Sequence, residues 1–176
     1  GIAVQVQNVT RQFCTNFQMA LNPQLTKSYA TGDYAHMHQL LKVSSKFSFY
    51  LMLLISLPLM LEAPLILKWW LDTVPEHTVS FLRLILCTGI LFALSNPILT
   101  SVHAIGKLKK FQLIEGTMLL SIVPIAYLLL KLFHIPPEYV FLVHILVEIC
   151  TQYARVRIVL PMIAMPLRDY AVDVIV

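Results

Sequence analysis

Four apolar runs, each about as long as a helix that crosses a lipid bilayer, constrain this chain more than any other feature. They cover residues 47–71, 79–103, 111–133 and 139–160. A helix rises about 1.5 Å per residue, so about 20 apolar residues are needed to cross the hydrocarbon core. The composition, 58% hydrophobic and 12% charged, is too apolar for a protein whose whole surface meets water. The sequence therefore predicts an all-α fold, a polytopic transmembrane helix bundle in which residues 1–176 form a single membrane domain.

The segment before these runs, residues 2–20, predicts an amphipathic helix. If this helix crosses the membrane, its polar side must face other helices or a wet cavity; the alternative is a helix that lies in the membrane interface. Asn22-Pro23 is expected to end the helix, and residues 22–46 are expected to form a cytoplasmic connection with a capped turn at residues 31–33. The polar side of the helix consists of Gln5, Asn8, Arg11, Gln12, Thr15 and Asn16, of which the first five are candidates for the substrate path.

The basic turn between the second and third runs sets the orientation. Cytoplasmic connections of membrane proteins carry the excess of lysine and arginine, so we expect this turn, with its three lysines, to be cytoplasmic. Nine basic residues then fall on the cytoplasmic side and three on the outer side. The nine are Lys27, Lys42, Lys46, Lys107, Lys109, Lys110, Arg155, Arg157 and Arg168, and the three are Lys68, Arg83 and Lys131. Because these residues gather near the ends of apolar runs, the net charge of +4 is expected to serve topology, and no nucleic acid partner is expected.

Three of the four apolar runs contain an internal proline. Pro58, Pro97 and Pro124 lie inside the first, second and third runs. Each lacks an amide proton and crowds the carbonyl group four residues earlier, so each is expected to bend its helix. These prolines are our hinge candidates.

The sequence contains no motif of a soluble enzyme. It has no glycine loop that would cradle phosphate, no paired cysteines with metal-ligand spacing and no nucleophile elbow. We therefore expect no catalytic residue, no metal site and no bound cofactor. Coupling to protons or sodium ions stays open.

The fourth run carries polar residues at membrane depth, where such residues are costly unless they are paired or hydrated. His144, Glu148, Gln152 and Arg155 follow one another at i, i+4, i+8 and i+11, which places them on one face of a helix. This stripe could line a hydrophilic path or relay protons. It could equally lock the helix to a polar neighbour.

Two further groups of charged residues have separate predictions. Arg11 is a candidate for binding an anion, because a guanidinium can hold a phosphate with two parallel hydrogen bonds. Glu62 and Glu115 lie near the ends of their runs and are expected to be mouth or interface carboxylates rather than buried relays.

Three motifs carry a family resemblance that covers nearly the whole chain in order and spacing: NPQLTKSYATGD at residues 22–33, WLDTVP at residues 70–75 and HAIGKLKKFQ at residues 103–112. The chain resembles the bacterial polysaccharide-biosynthesis and O-antigen flippases, which belong to the multidrug, oligosaccharidyl-lipid and polysaccharide exporter superfamily. The resemblance implies a fragment from the C-terminal half of a longer transporter, whose remaining helices would be its partners in the bacterial inner membrane. It also implies that the polar face of the first helix lines the substrate cavity.

The function expected from this resemblance is transport of a lipid-linked oligosaccharide, of the undecaprenyl pyrophosphate type, across the bacterial inner membrane. Membrane lipids are expected as further partners. Such a cargo is a precursor of polysaccharide or lipopolysaccharide. One alternative is a drug or cation antiporter of the same superfamily, which should have a more acidic cavity. Another is a membrane scaffold for glycan assembly that transports nothing.

Overall fold

The computed structural model describes residues 2–71, 74–75, 77–106, 108–133, 136 and 138–175. This described part contains helices and no strands. Four of its segments are long and apolar enough to cross a membrane: Tyr34–Leu61, Thr78–Ile105, Leu108–Leu132 and Glu138–Met162. The predicted all-α polytopic bundle is therefore confirmed. The helices are α1 (Ile2–Ala30), α2 (Tyr34–Leu61), α3 (Ala63–Trp70), α4 (Thr78–Ile105), α5 (Leu108–Leu120), α6 (Ile122–Phe133), α7 (Glu138–Met162) and α8 (Leu167–Ile175).

Helix α4 lies at the centre of the bundle. It packs against α1, α2 and α7, and α5 and α6 pack against α7. The approach of α2 to α4 is close at Gly89, where a Cβ atom would lie 2.5 Å from the Cε of Met52. The short α8 lies against α2 and α7. There Tyr170 is buried and its hydroxyl donates to the Oγ of Ser45 over 3.0 Å.

The predicted connection at residues 22–46 is wrong. Helix α1 continues through Pro23 to Ala30, α2 already begins at Tyr34, and only the capped turn at residues 31–33 lies between them. A proline removes a single helical hydrogen bond, whereas the packing of the next turn continues: Leu25, 1% exposed, belongs to the main hydrophobic core. Tertiary packing therefore outweighs the local signal to stop.

Helix α1 runs alongside α4. Gln7 contacts Ile85 in the first third of α4, Gln18 contacts Ala93 in its middle, and Leu25 packs in the same core cluster as Val102 near its end. A helix that lay in the membrane interface would cross α4 at one level only. Helix α1 therefore packs along much of the length of α4, which favours the alternative in which the polar side of α1 faces other helices.

Two of the predicted spans are interrupted, and proline chemistry explains both interruptions. The first run divides at Glu62 into α2 and α3, where Pro64 lacks the amide proton that would pair with the Met60 carbonyl; Arg83 Nε donates to that carbonyl over 2.9 Å instead. The third run divides at Ser121, three residues before Pro124. In contrast, α2 and α4 continue through Pro58 and Pro97. Movement about the three hinge candidates stays a prediction.

The two ends of the bundle are identified by contacts between helix termini. At one end the His77 ring and the Glu138 carboxylate form a hydrogen bond, which joins the starts of α4 and α7. At the other end Gly106, with φ of 75°, closes α4 one residue beyond Ile105. Lys107, which contributes to the predicted orientation, lies outside the described residues. The orientation itself stays a prediction.

Candidate functional site

A buried cluster of charged and polar side chains forms where α4, α5 and α7 meet. Arg155 is its centre and is 4% exposed. Its Nη1 donates to Oε1 of Glu148 over 2.6 Å, and its Nη2 lies 2.7 Å from Oε1 of Glu115. We call this group the Arg155 cluster; its members are Ser95, Glu115, Glu148, Gln152 and Arg155.

Ser95 connects the cluster to the central helix. Its Oγ accepts from Arg155 Nη1 over 2.7 Å and donates to Gln152 Oε1 over 2.7 Å. The same hydroxyl lies 3.0 Å from the Leu91 carbonyl, within its own helix. The serine therefore fixes α7 to α4 at the level of the charges, and it holds Arg155 and Gln152 in one geometry.

The Arg155 cluster carries more negative than positive charge. With all three groups ionised, Glu115 and Glu148 outnumber Arg155 by two charges to one. An excess carboxylate at membrane depth is costly unless another cation or a proton compensates it. Within the described residues, Arg155 is the one cation that pairs with Glu115 and Glu148.

Arg11 is half-buried beside the central helix. The carbon at the centre of its guanidinium lies 4.5 Å from the centre of the Phe92 ring, within the range of a cation–π interaction. Its Nε is buried, and no described residue accepts a hydrogen bond from it. A cation–π contact uses the charge of the guanidinium and leaves its N–H groups free to bind other acceptors. Arg11 is therefore positioned by an aromatic ring, and its guanidinium forms no hydrogen bond with a described residue.

The two candidate surfaces predicted from the sequence meet over α4. Phe92, beneath Arg11, and Ser95, beside Glu148, are three residues apart and so share a face of α4. The cationic group from α1 and the anionic group from α7 therefore lie on the same side of the central helix.

The structure does not bring all predicted residues of α1 to Arg11. Gln12 donates to Asn16 over 2.8 Å in an exposed position, and Gln5 lines a groove with Trp70. Each residue of an α-helix turns by about 100°, so Gln5 and Gln12 lie about a third of a turn from Arg11. Asn8 and Thr15, three and four residues from Arg11, are nearer its face, although the Thr15 hydroxyl donates to the Arg11 carbonyl over 2.9 Å.

Three of the four residues of the predicted stripe on α7 contact one another. Glu148, Gln152 and Arg155 belong to one cluster, whereas His144 is half-buried one turn away from it. Arg155 was also predicted to lie near the cytoplasmic end of the span. It lies seven residues before the end of α7 at Met162, and its guanidinium is buried; the membrane side stays a prediction. Without Arg155, eight basic residues remain on the predicted cytoplasmic side and three on the outer side, so the predicted orientation is unchanged.

Glu115 has a different role from the one predicted. We expected a carboxylate at a mouth or interface, but its side chain is only 15% exposed and pairs with Arg155. Forty residues separate the two in the sequence, so no local pattern links them. Glu62 lies at the break between α2 and α3, as its position near a helix end suggested.

Gln7 and Gln18 of α1 are buried, and the sequence pattern did not single them out. Gln7 donates to the Ile85 carbonyl over 2.7 Å and to Thr88 over 2.8 Å. Gln18 donates to Ser48 over 2.9 Å and accepts from Asn96. Their separation of eleven residues, three helical turns, was the available signal.

The fold and the buried ionisable residues define a class: a multi-pass membrane protein with an all-α bundle and a polar centre. Comparison of the chain with protein-family profiles, with curated proteins and with solved structures gives no match. The resemblance to the exporter superfamily therefore stays a prediction.

Proposed function

We propose that this chain is part of a bacterial inner-membrane transporter that translocates a lipid-linked oligosaccharide. The observation that carries the proposal is Arg11, a cation at membrane depth that is held by Phe92 and keeps unpaired donors. A pyrophosphate that leaves water must exchange its hydration shell for other donors. A guanidinium supplies both charge and paired N–H groups for this exchange.

The pairing within the Arg155 cluster supports Arg11 as the cargo site. Arg155 already has partners in Glu115, Glu148 and Ser95, so its donors are occupied. A phosphate would have to displace a carboxylate there. The cluster is better suited to hold α4, α5 and α7 together.

A second candidate function, a drug or cation antiporter, is favoured by the excess of carboxylates. Glu148 would then bind a proton or sodium ion in exchange for the exported molecule, and Arg11 would only balance charge. Replacement of Glu148 by glutamine separates the two functions, because it removes the negative charge and leaves the donors of Arg11 intact. If glycan export survives this change, the flippase is favoured. If the variant loses efflux of cationic compounds, the antiporter is favoured.

The test of the flippase is surface-glycan display by cells that produce the full-length protein. Arg11→Ala is expected to abolish display, and Arg11→Lys to restore only part of it, because lysine keeps the charge but loses the two-pronged geometry. Arg168→Ala, which removes an exposed arginine of α8, is the matched control and should display normally. Display is normalised to the amount of protein in the membrane. Normal display by Arg11→Ala would contradict the proposal, and a scaffold would then be the better explanation.

A further inference from the structure

The end of α4, the start of α5 and the end of α7 line an apolar groove at one end of the bundle. Its volume is about 550 Å³, which is within the usual size range of small-molecule sites. Gly106, in the left-handed conformation, ends α4 on one side of the groove, and Met162 ends α7 on its other side. The side chains that line it are Leu108, Lys109, Lys110, Phe111, Ile158 and Met162.

The groove has a positive rim. Lys109 and Lys110 are exposed, and within the part of the chain that the structure describes neither forms an ion pair. The lining contains no carboxylate among the described residues. The positive charge of the rim is therefore uncompensated by the protein, and it complements an anion.

The position of the groove along the helices separates its polar and apolar parts. Lys109 and Lys110 lie in the first turn of α5, where a spanning helix leaves the hydrocarbon and meets lipid headgroups. Phe111, only 3% exposed, and Ile158 extend the lining toward the interior of the membrane. An occupant must accordingly join an anionic group to a long apolar group.

We propose that this groove is a specific site for one anionic phospholipid, with its phosphate on Lys109 and Lys110 and an acyl chain against Phe111, Ile158 and Met162. Basic pockets between membrane helices bind lipid headgroups through such charge complementarity. The site is separate from Arg11 and does not depend on the identity of the cargo. Lipid in this groove would hold the start of α5 and the end of α7 together.

The test is native mass spectrometry of the full-length protein in detergent, titrated with dioleoyl phosphatidylglycerol or dioleoyl phosphatidylcholine. We expect the anionic lipid to bind at least tenfold more tightly. Lys109→Gln and Lys110→Gln should each weaken it about fivefold, and the double variant about 25-fold. The matched control is the double variant Lys68→Gln with Lys131→Gln. It removes two lysines in the last turns of α3 and α6, away from the groove, and should leave the affinity for the anionic lipid unchanged.

A further variant tests the apolar part of the site. Met162→Trp fills the groove and keeps both lysines, so it should weaken the anionic lipid while the variant's thermal unfolding stays that of wild type. Equal affinity for the two lipids, or unchanged binding by the double lysine variant, would overturn the proposal. So would unchanged binding by Met162→Trp. Displacement of the lipid by millimolar inorganic phosphate would also overturn it, because the site would then take the free anion.

Discussion

The side-chain nitrogen of Gln18 lies 3.2 Å from the carbonyl oxygen of Ala93. This carbonyl would pair with the amide of residue 97 in an ordinary helix, but residue 97 is a proline and has no amide proton. The glutamine of α1 thus replaces the missing hydrogen bond of α4. Arg83 and the Met60 carbonyl have the same relationship at Pro64.

This replacement predicts an energetic coupling between Gln18 and Pro97. Gln18→Leu should destabilise the bundle, because a carbonyl freed in the membrane then lacks a donor. In a Pro97→Ala background the new amide restores the helical bond, so the same change should cost about 1 kcal/mol less. The measurement is a double-mutant cycle of unfolding in detergent. Equal costs in the two backgrounds would show that Gln18 acts only through Ser48 and Asn96.

The Arg155 cluster predicts an unequal effect of its members on stability. Arg155→Ala leaves Glu115 and Glu148 buried without their cation and should cost about 3 kcal/mol or more, as for other buried pairs that lose one partner. Arg157→Ala is the matched control; this exposed arginine lies over the ring of Tyr153 and should cost less than 1 kcal/mol. Unfolding in detergent gives both values.

The cause of the cost can be tested by removing the charges left behind. Adding Glu115→Gln and Glu148→Gln to Arg155→Ala should recover part of the lost stability, since the glutamines are neutral. Further destabilisation by the glutamines would contradict the charge explanation.

The contact of α8 with α2 predicts an alkaline loss of stability. Burial raises the pKa of Tyr170 to about 12, although its hydrogen bond to Ser45 acts in the opposite direction. The unfolded chain ionises at pH about 10, so the neutral tyrosine favours folding fully below that pH and progressively less as the pH rises to about 12. The loss should reach about 2 to 3 kcal/mol over this window.

Tyr170→Phe isolates this effect, because lysines titrate over the same range in both proteins. Between pH 10 and 12 the wild type should lose more stability than the variant, because only the wild type has a tyrosine to ionise at residue 170. A difference that stays constant across this window would mean that Tyr170 ionises as easily in the folded protein as in the unfolded chain.

The predicted orientation is tested by cysteine labelling in intact cells. Lys109→Cys should resist a membrane-impermeant thiol reagent added outside, because the turn after α4 is predicted to be cytoplasmic. Trp69→Cys is the control at the opposite end; Trp69 lies in the last turn of α3, next to the predicted outer turn, and its substitute should react. The native cysteines are first replaced by serine. The reverse labelling pattern would invert the topology.

The sequence predicted what depends on local pattern. The length of the apolar runs identified the spanning helices, and the spacing of Glu148, Gln152 and Arg155 identified a shared face. Helix ends were less predictable, since Pro23 suggested a stop that the packing of Leu25 overrides.

The partners of the candidate residues could not be predicted, because they come from distant parts of the chain. Ser95 is an ordinary serine within an apolar run until the fold places it between Arg155 and Gln152. Phe92 likewise resembles any lipid-facing aromatic residue, and only the packing of α1 on α4 places it against Arg11.

The central claim is that Arg11 serves the passage of a lipid-linked oligosaccharide, and translocation in proteoliposomes tests it most directly. The full-length protein is reconstituted with a fluorescent oligosaccharide on a polyprenyl pyrophosphate, and the fraction that moves to the other leaflet is measured by membrane-impermeant quenching. We predict movement well above that in protein-free liposomes for wild type, background movement for Arg11→Ala and intermediate movement for Arg11→Lys. Wild-type and Arg11→Ala proteins that translocate the lipid equally, or a wild-type protein that translocates none, would contradict the account.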